Sequence, residues 1–416
     1  MPATDLILNI IRILIKLISI FTIIYSIYQL WVALPLFKEY KNPVGKDRPY
    51  HKFAIVISAH NEELVIANLL DSIKEQNYPK LAYDVFLIAD NCQDATASIA
   101  RSKGAKVYER FDPVNKSKGH ALNWFFPKFL AKYADDYDVC TVVDADNLLS
   151  KNFLKEMNRR FNLGERVVVG YRVGKNPDTS VFSNCNSLFW VMQNRAADHP
   201  RYVSGRSLVS VGGTGFSFNL DIIRKSGWHT ESLTEDLEFS LEMNLRGEEI
   251  TYCREAKFYD EQPENFMSTI KQRWRWSYGT KELINLEAPK LLKSIFYGRE
   301  DNIDSLMFSL TYAFMIAATF VWTLLLIAEF ISGGVLAFLK FILYSMLIGQ
   351  ISISLFIFVL SRLEKIYWEK QWLGILCYPA FLIIINISNI LALFKKPEWK
   401  KIEHKDQKAI EDVDFT

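Results

Sequence analysis

Three polar clusters hold the residues best able to do chemistry. Asp144 and Asp146 stand two apart behind the apolar run Cys140-Thr141-Val142-Val143, so a strand about to end would point both carboxylates the same way at the rim of a sheet. With open positions left for water and phosphate, such a pair suits Mg²⁺ or Mn²⁺ bridging a nucleoside diphosphate. Two acids at this spacing are common by chance. Their place behind a buried strand gives them weight, because clustered carboxylates repel each other without a cation. Thr234-Glu235-Asp236 precedes an amphipathic helix. The plain reading makes Thr234 the N-cap and sets Glu235, Asp236 and Glu238 favourably in the first turn. Capping does not call for a carboxylate at position 236, whereas inversion at an anomeric centre needs one general base near the acceptor hydroxyl and leaves the departing diphosphate to a metal. Asp236 is the candidate base, with Glu235 beside it to shape the site. Gln272, Arg275 and Trp276, at i, i+3 and i+4, share one helical face. A guanidinium suits a diphosphate, an indole the apolar face of a sugar ring, and an amide orients either. The same pattern suits an amphipathic helix at a membrane interface, and both readings can hold together. Arg273 and Trp274 then face the lipid or the domain.

The elements that must position these clusters alternate between strand and helix. Phe53 to Ser58 is an apolar run typical of a strand buried on both faces of a parallel sheet, and Ala59-His60-Asn61-Glu62-Glu63 leads from it into a helix reaching Glu75. A strand from Asp84 to Ala89, a helix to Lys103, a strand from Lys106 to Tyr108, a helix from Ala121 to Tyr133 and a strand from Val139 to Val143 continue the pattern. A strand from Arg166 to Tyr171, a helix containing Phe189 to Arg195 and the Gly-rich Val211 to Phe216 complete it. This is the pattern of an α/β domain with an open, mostly parallel, Rossmann-like sheet over 46–299. In such sheets the ligand lies outside the carboxyl ends of the strands, where Asn61, Glu62, Asp90, Asp144 and Asp146 fall. Asp90 would accept hydrogen bonds from a base or ribose, or equally cap a turn. Lys118, within Lys116-Ser117-Lys118-Gly119-His120, would approach phosphates, though a basic loop is more often solvated. His60 and His120 have no metal-ligand partner at a useful spacing and read as structural or lining residues.

The chain has 416 residues, half of them hydrophobic and pooled at its two ends. Its net charge of +2, with no basic run interleaved with aromatics, gives no footprint for nucleic acid as a partner. Cysteines without C-x-x-C spacing read as reduced. Segment 1–45 carries an apolar run from Leu6 to Phe37, too long for a cleavable signal peptide and without a small-residue cleavage site. It is expected to span from about Leu17 to Leu36, with Lys38, Lys41, Lys46 and Arg48 putting the next domain in the cytoplasm. An aromatic, basic interfacial helix over 266–286 leads back to the membrane. Region 300–395 offers apolar segments at Ser305 to Phe330, Val335 to Leu360 and Trp372 to Phe394. Three spans there would carry Lys395, Lys396, Lys400 and Lys401 outside, against the positive-inside rule, so one segment is expected to be re-entrant or interfacial. The last, with Pro379, Asn386, Ser388 and Asn389, is the first candidate. The charged tail 396–416 is expected to be partly disordered.

Taken in order, Asp90, Asp144-x-Asp146, Thr234-Glu235-Asp236 and Gln272-x-x-Arg275-Trp276 resemble the motifs of membrane-embedded family 2 glycosyltransferases, the group of cellulose, hyaluronan, chitin and poly-N-acetylglucosamine synthases. The resemblance covers Phe53 to Trp276 and implies a GT-A fold with flanking transmembrane helices, a UDP-sugar donor and Mg²⁺ or Mn²⁺. It implies that Asn61, Glu62, Asp90 and Lys118 meet the nucleotide-sugar and that Asp144 and Asp146 serve nucleotide and metal. Gly213, Thr214 and Gly215 would border the acceptor, Gln272, Arg275 and Trp276 would clamp diphosphate and acceptor sugar, and Asp236 would be the base. Ala59-His60 stands where such enzymes often carry an aromatic before Asn-Glu. The activity implied is growth of a β-linked polysaccharide at the cytoplasmic face of the plasma membrane by a multi-pass protein. The alternative is addition of a single sugar to a lipid or lipid-linked acceptor. The bilayer, and accessory subunits for export or regulation, would be its partners. A catalytically silent scaffold is disfavoured by the intact set Asp144, Asp146 and Asp236.

Overall fold

The computed structural model describes residues 3–413 apart from 231, 367, 399, 400 and 402. A long apolar helix, α1 (Ala3–Ala33), precedes the sheet domain. Strands β1 (Phe53–Ala59), β2 (Tyr83–Asp90), β3 (Lys106–Arg110) and β4 (Val139–Asp144) pair in parallel, with β1 between β2 and β4. They alternate with α2 (Ile66–Lys74), α3 (Thr96–Ser102) and α4 (Lys118–Tyr133). The continuous apolar run of β1 follows from burial on both faces. Ala54 and Val56 pack with Phe125, Phe126 and Phe129 of α4, whereas Phe53, Ile55 and Ile57 pack with Ile66, Leu69 and Ala100 on the other side.

The second half of the domain holds β5 (Leu148–Leu149), α5 (Phe153–Phe161), β6 (Val167–Gly174), α6 (Val181–Met192), α7 (His199–Tyr202), β7 (Phe216–Asn219), α8 (Asp221–Ser226), α9 (Glu235–Arg246) and β8 (Ile250–Asp260). Sheet order is β3-β2-β1-β4-β7-β6-β8-β5, with β7 antiparallel to both neighbours and β6 parallel to β8. The mostly parallel α/β sheet is thus present, with a reversed strand inserted at its middle. Helix α10 (Phe266–Phe296) runs ten residues beyond the expected interfacial helix and continues through Pro289.

Then follow α11 (Ile303–Ser309), α12 (Thr311–Leu363), α13 (Trp368–Phe394) and the short α14 (Ile410–Val413). Among the described residues three stretches are long and apolar enough to cross a membrane: Thr4–Phe37, Thr311–Leu363 and Gln371–Phe394. Straight, the 53 residues of α12 would reach about 80 Å. Yet Tyr312 Oη, near its start, donates to Asn389 O at 2.9 Å, while Ile357 and Leu360, near its end, pack with Tyr378, Phe381 and Ile384 of the same α13. The break lies at Gly334, whose φ of 67° and ψ of −163° leave the helical region. Phe330 and Phe338 meet across it with ring centres 6.0 Å apart. So α12 is a helical hairpin, out over 311–333 and back over 335–363. Helix α13 touches α6 at its start, where Cys185 Sγ approaches Gly374 O at 3.6 Å, and α10 at its end, where Ser277 Oγ donates to Asn389 Oδ1 at 2.6 Å. Both ends of α13 therefore rest against the sheet domain and its helix α10.

One buried carboxylate joins hairpin and domain. Glu364, whose side chain is 2% exposed, pairs with Arg195 at 3.3 Å and Arg254 at 2.8 Å and accepts from Tyr171 Oη at 2.7 Å. Arg195 also donates to Leu36 O at 2.6 Å, drawing in the end of the first membrane helix. The described part of the tail docks on the sheet domain: Lys405 N and Asp406 N donate to Glu261, and Ile410 is buried with Leu148 and Tyr259. Apolar burial at Ile410 anchors what charge alone would leave in solvent.

In a single-cysteine labelling series, Ser332→Cys should react with an impermeant maleimide from the membrane face opposite the catalytic domain, and Lys396→Cys only from the domain's own face. Glu364→Ala, which takes the carboxylate from buried Arg195 and half-buried Arg254, should destabilise the detergent-solubilised protein by about 3 kcal/mol, read as a lowered unfolding midpoint.

Candidate active site

A cavity of about 710 Å³ opens along the carboxyl ends of β1, β2 and β4, passes beneath α10 and ends between α12 and α13. At its outer end lie His60, Glu62, Asp90, Lys118, Asp144 and Asp146. Asp90, last residue of β2, is 6% exposed, and its Oδ1 accepts from Arg110 at 2.6 Å. Burial raises its carboxyl above the usual range while Arg110 opposes the shift. Asn61 sits in the left-handed region at φ 57°, and its Oδ1 accepts from Gln93 N at 2.7 Å. Its side chain thus ties two loops together and is not among those lining the cavity, unlike Glu62.

Asp144 ends β4, whereas Asp146 lies in the turn after it. Lys118 pairs with Asp144 and donates to Gly213 O at 2.7 Å, holding the Gly-rich loop against β4. Thr214 Oγ1 accepts from Asp144 N at 2.8 Å, so this threonine shapes the acid's loop. Asp146 Oδ2 accepts from Glu261 N at 3.1 Å and stands 4.0 Å from His404 Nε2 of the tail. Burial pushes the Asp146 carboxyl up, but His404 and Lys175 outweigh it and hold the group below its ordinary value. Asp260, the last residue of β8, is pushed up to about 7 by burial and by Asp146 and Asp144, against Arg172. Among the described residues no three His, Cys, Asp or Glu already surround a common metal position. The donor set nevertheless fits a hard divalent cation: carboxylate oxygens at an open cavity, carrying negative charge enough to raise a neighbour.

Asp236 lies in the first turn of α9 and faces Gly213, where an added Cβ would stand 3.4 Å from Asp236 Oδ2. Burial raises its carboxyl, and burial together with Asp236 raises Glu235 to about 7. The expected capping by Thr234 is absent. Its side chain makes no cap bond, and Oγ1 is buried without a partner among the described residues. The reason is α10 overhead, because a Cβ on Gly279 would fall 2.5 Å from Thr234 Cγ2. Gly215 does not line the cavity; its missing side chain makes room for Phe258, 2.2 Å from a would-be Cβ.

Gln272, Arg275 and Trp276 all line the cavity. Arg273 lines it as well, is 3% exposed and faces α6 of the sheet domain, as expected of a residue turned to the lipid or the domain. Helix α10 is covered on two sides, by α6 and by α13, and one face cannot hold every inward residue. Trp276 stands edge-on to Trp190 at 5.8 Å, and Arg172 stacks on Trp190 at 3.8 Å while donating to Gly212 O at 3.0 Å. Arg172, Trp190, Asp260, Lys401 and His404 were not singled out from sequence. Asp260 ends a strand as Asp90 and Asp144 do, and that was its available signal; the tail residues carried none.

A family model described as "Glycosyltransferase like family 2" matches residues 49–279, more than half of the chain. The chain belongs to that family. Across 393 residues it is 26% identical to a probable glycosyltransferase, YdaM, of Bacillus subtilis (strain 168), covering 86% of this chain and 87% of the relative. Identity is 23% to poly-beta-1,6-N-acetyl-D-glucosamine synthase of Staphylococcus epidermidis, covering 91% of each. It is 25% to beta-monoglucosyldiacylglycerol synthase of Nostoc sp., where 70% of this chain matches 61% of the relative. Among solved structures, the mannosyltransferase PcManGT from Pyrobaculum calidifontis, in complex with GDP-Man and Mn²⁺, superposes with a TM-score of 0.60 at 15% identity, covering 91% of this chain and 99% of that one. The fold is of the GT-A kind, and the chain is a family 2 glycosyltransferase with apolar helices suited to a membrane.

Gly279→Ala should lower the rate of sugar transfer about tenfold or more by lifting α10 from the start of α9, without loss of the folded protein in gel filtration. A base must be unprotonated to accept a proton, and burial raises the Asp236 carboxyl. The rate should therefore fall on acidification at a higher pH than an ordinary aspartate would give, and a fall only in the ordinary aspartate range would remove Asp236 from the role.

Proposed function

We propose that the protein transfers a sugar, with inversion, from a UDP-sugar to a hydroxyl presented at the membrane surface, with Mg²⁺ or Mn²⁺ held by Asp144 and Asp146. The observation that carries this reading is the single cavity joining those carboxylates, Asp236 and the membrane helices. Asp236 takes the acceptor proton, the acceptor oxygen bonds to the anomeric carbon, and the bond from that carbon to the diphosphate breaks. Lys118 and Arg275 lie in the same cavity to meet the released charge. A bound cation supplies further stabilisation of the leaving diphosphate. The neighbour's GDP-Man and Mn²⁺ support a nucleotide-diphosphate donor with a metal, and the motif resemblance supports uridine. Asp90 and Glu62 serve the nucleotide side, and Gly213, Gln272 and Trp276 the acceptor side. Lys38, Lys41, Lys46 and Arg48 after α1 favour a multi-pass plasma-membrane protein with a cytoplasmic catalytic domain.

The inner end of the cavity favours a lipid acceptor. Phe308, Met315, Leu382 and Ile385 line it. Hydroxyls there are spent inside the protein: Tyr312 Oη on Asn389 O, Ser277 Oγ on Asn389 Oδ1 at 2.6 Å and Thr280 Oγ1 on Trp276 O at 3.0 Å. A wall with its polar atoms internally paired suits an acyl or prenyl chain better than a hydrated glycan. The second reading, elongation of a β-linked polysaccharide, is favoured by Gln272-x-x-Arg275-Trp276 and by the similarity to the Staphylococcus epidermidis synthase along 91% of the chain.

Purified protein should release UDP from one of UDP-glucose, UDP-galactose, UDP-N-acetylglucosamine or UDP-glucuronate only with Mg²⁺ or Mn²⁺. Asp236→Asn should abolish turnover while leaving UDP binding intact. Near-normal turnover in that variant would sink the base assignment. Offered dioctanoylglycerol in one arm and a chito-oligosaccharide in the other, the enzyme should label the lipid; a lengthening saccharide would select the second reading.

A further inference from the structure

Arg273 lies in the middle of α10 with its side chain turned away from solvent. Its guanidinium is 3.8 Å from the ring centre of Phe189, 4.5 Å from that of Trp276 and 5.5 Å from that of Phe381. It donates to Asn186 Oδ1 at 2.9 Å, and its Nε has no partner among the described residues. The three rings come from three helices: α6 of the sheet domain, α10 above the site and the apolar α13. Burial pushes the group down to about 9, with Arg172 adding to the push. An arginine so placed is held by ring faces and one amide, and its plane fixes theirs.

The stack does not stop there. Trp276 meets Trp190, Arg172 lies on Trp190, and Arg172 holds the carbonyl of Gly212, next to the Gly213 that faces Asp236. Two guanidinium groups, with the Trp276 and Trp190 rings between them, thus connect α13 to the Gly-rich loop beside Asp236. We infer that Arg273 is a positioning residue for the acceptor: by clamping the Trp276 indole between α6 and α13, it sets the surface on which the acceptor rests before Asp236. This rests on the glycosyl-transfer reading above and adds to it the residue that aligns the acceptor.

The full chain in membranes is assayed with the radiolabelled UDP-sugar that supports turnover, reading transfer to dioctanoylglycerol or chito-oligosaccharide and, separately, to water. Arg273→Met should raise the acceptor KM about tenfold, with the donor KM and transfer to water within about twofold of the parent. Arg273→Lys should recover much of that loss. In a Trp276→Ala background Arg273→Met should add nothing, since the two act as one unit. Parallel loss of transfer to acceptor and to water, or additive effects in the double variant, would overturn the inference in favour of a purely structural cage. Should Arg273→Met not fold, Phe381→Leu, which loosens the same stack from α13, carries the same comparison. If neither acceptor is used by the parent, the transfer reading itself falls short. Near-ultraviolet circular dichroism then decides the positioning claim: the Trp276→Phe difference signal should be present in the parent and absent with Arg273→Met, and its persistence would refute the claim.

Discussion

The site depends on how closely one helix crosses another. Helix α10 passes over the first turn of α9 at Gly279, and no side chain larger than hydrogen fits between that backbone and Thr234. At this separation Gln272, Arg275 and Trp276 reach the same cavity as Asp236. The close approach also displaces the local rule at the helix start, since a threonine that would ordinarily cap α9 is covered instead and left without a bond. A small loss in helix stability accompanies a fixed distance between Asp236 and the surface opposite it.

Negative charge is the second constraint. Asp144, Asp146 and Asp260 converge from two strands and a turn, and the protein sets Lys118, Lys175, Arg172 and His404 around them. The carboxylates still raise one another where burial is deepest. Each carboxylate is thus matched by a cationic partner, and the site holds its acids close together without leaving them unpaired.

Much of this was readable from residue order because parallel strands write their burial plainly. The runs at β1, β2 and β4 are apolar along their whole length, and each ends in the polar group that lines the cavity. β8 is harder to read: Arg254, Glu255 and Lys257 interrupt its apolar run, with Arg254 paired to Glu364 and Glu255 accepting from Tyr40, although it too ends in an acid that lines the cavity, Asp260. β7 is four residues long and hidden behind glycines. The placement of Arg273 depends on α13 covering α10 from a distance of about a hundred residues, a packing fact with no local trace. The docking of the tail has no local trace either: its charges describe its solvent face, while Ile410 is buried against Leu148 and Tyr259.

The hairpin in α12 also has a mechanical consequence. Its start is tied to Asn389 near the end of α13, and its end packs on Tyr378, Phe381 and Ile384 earlier in the same helix. The two limbs either side of Gly334 are therefore held in register by a helix that is not part of the hairpin. A change that slid α13 along its axis would carry both limbs with it.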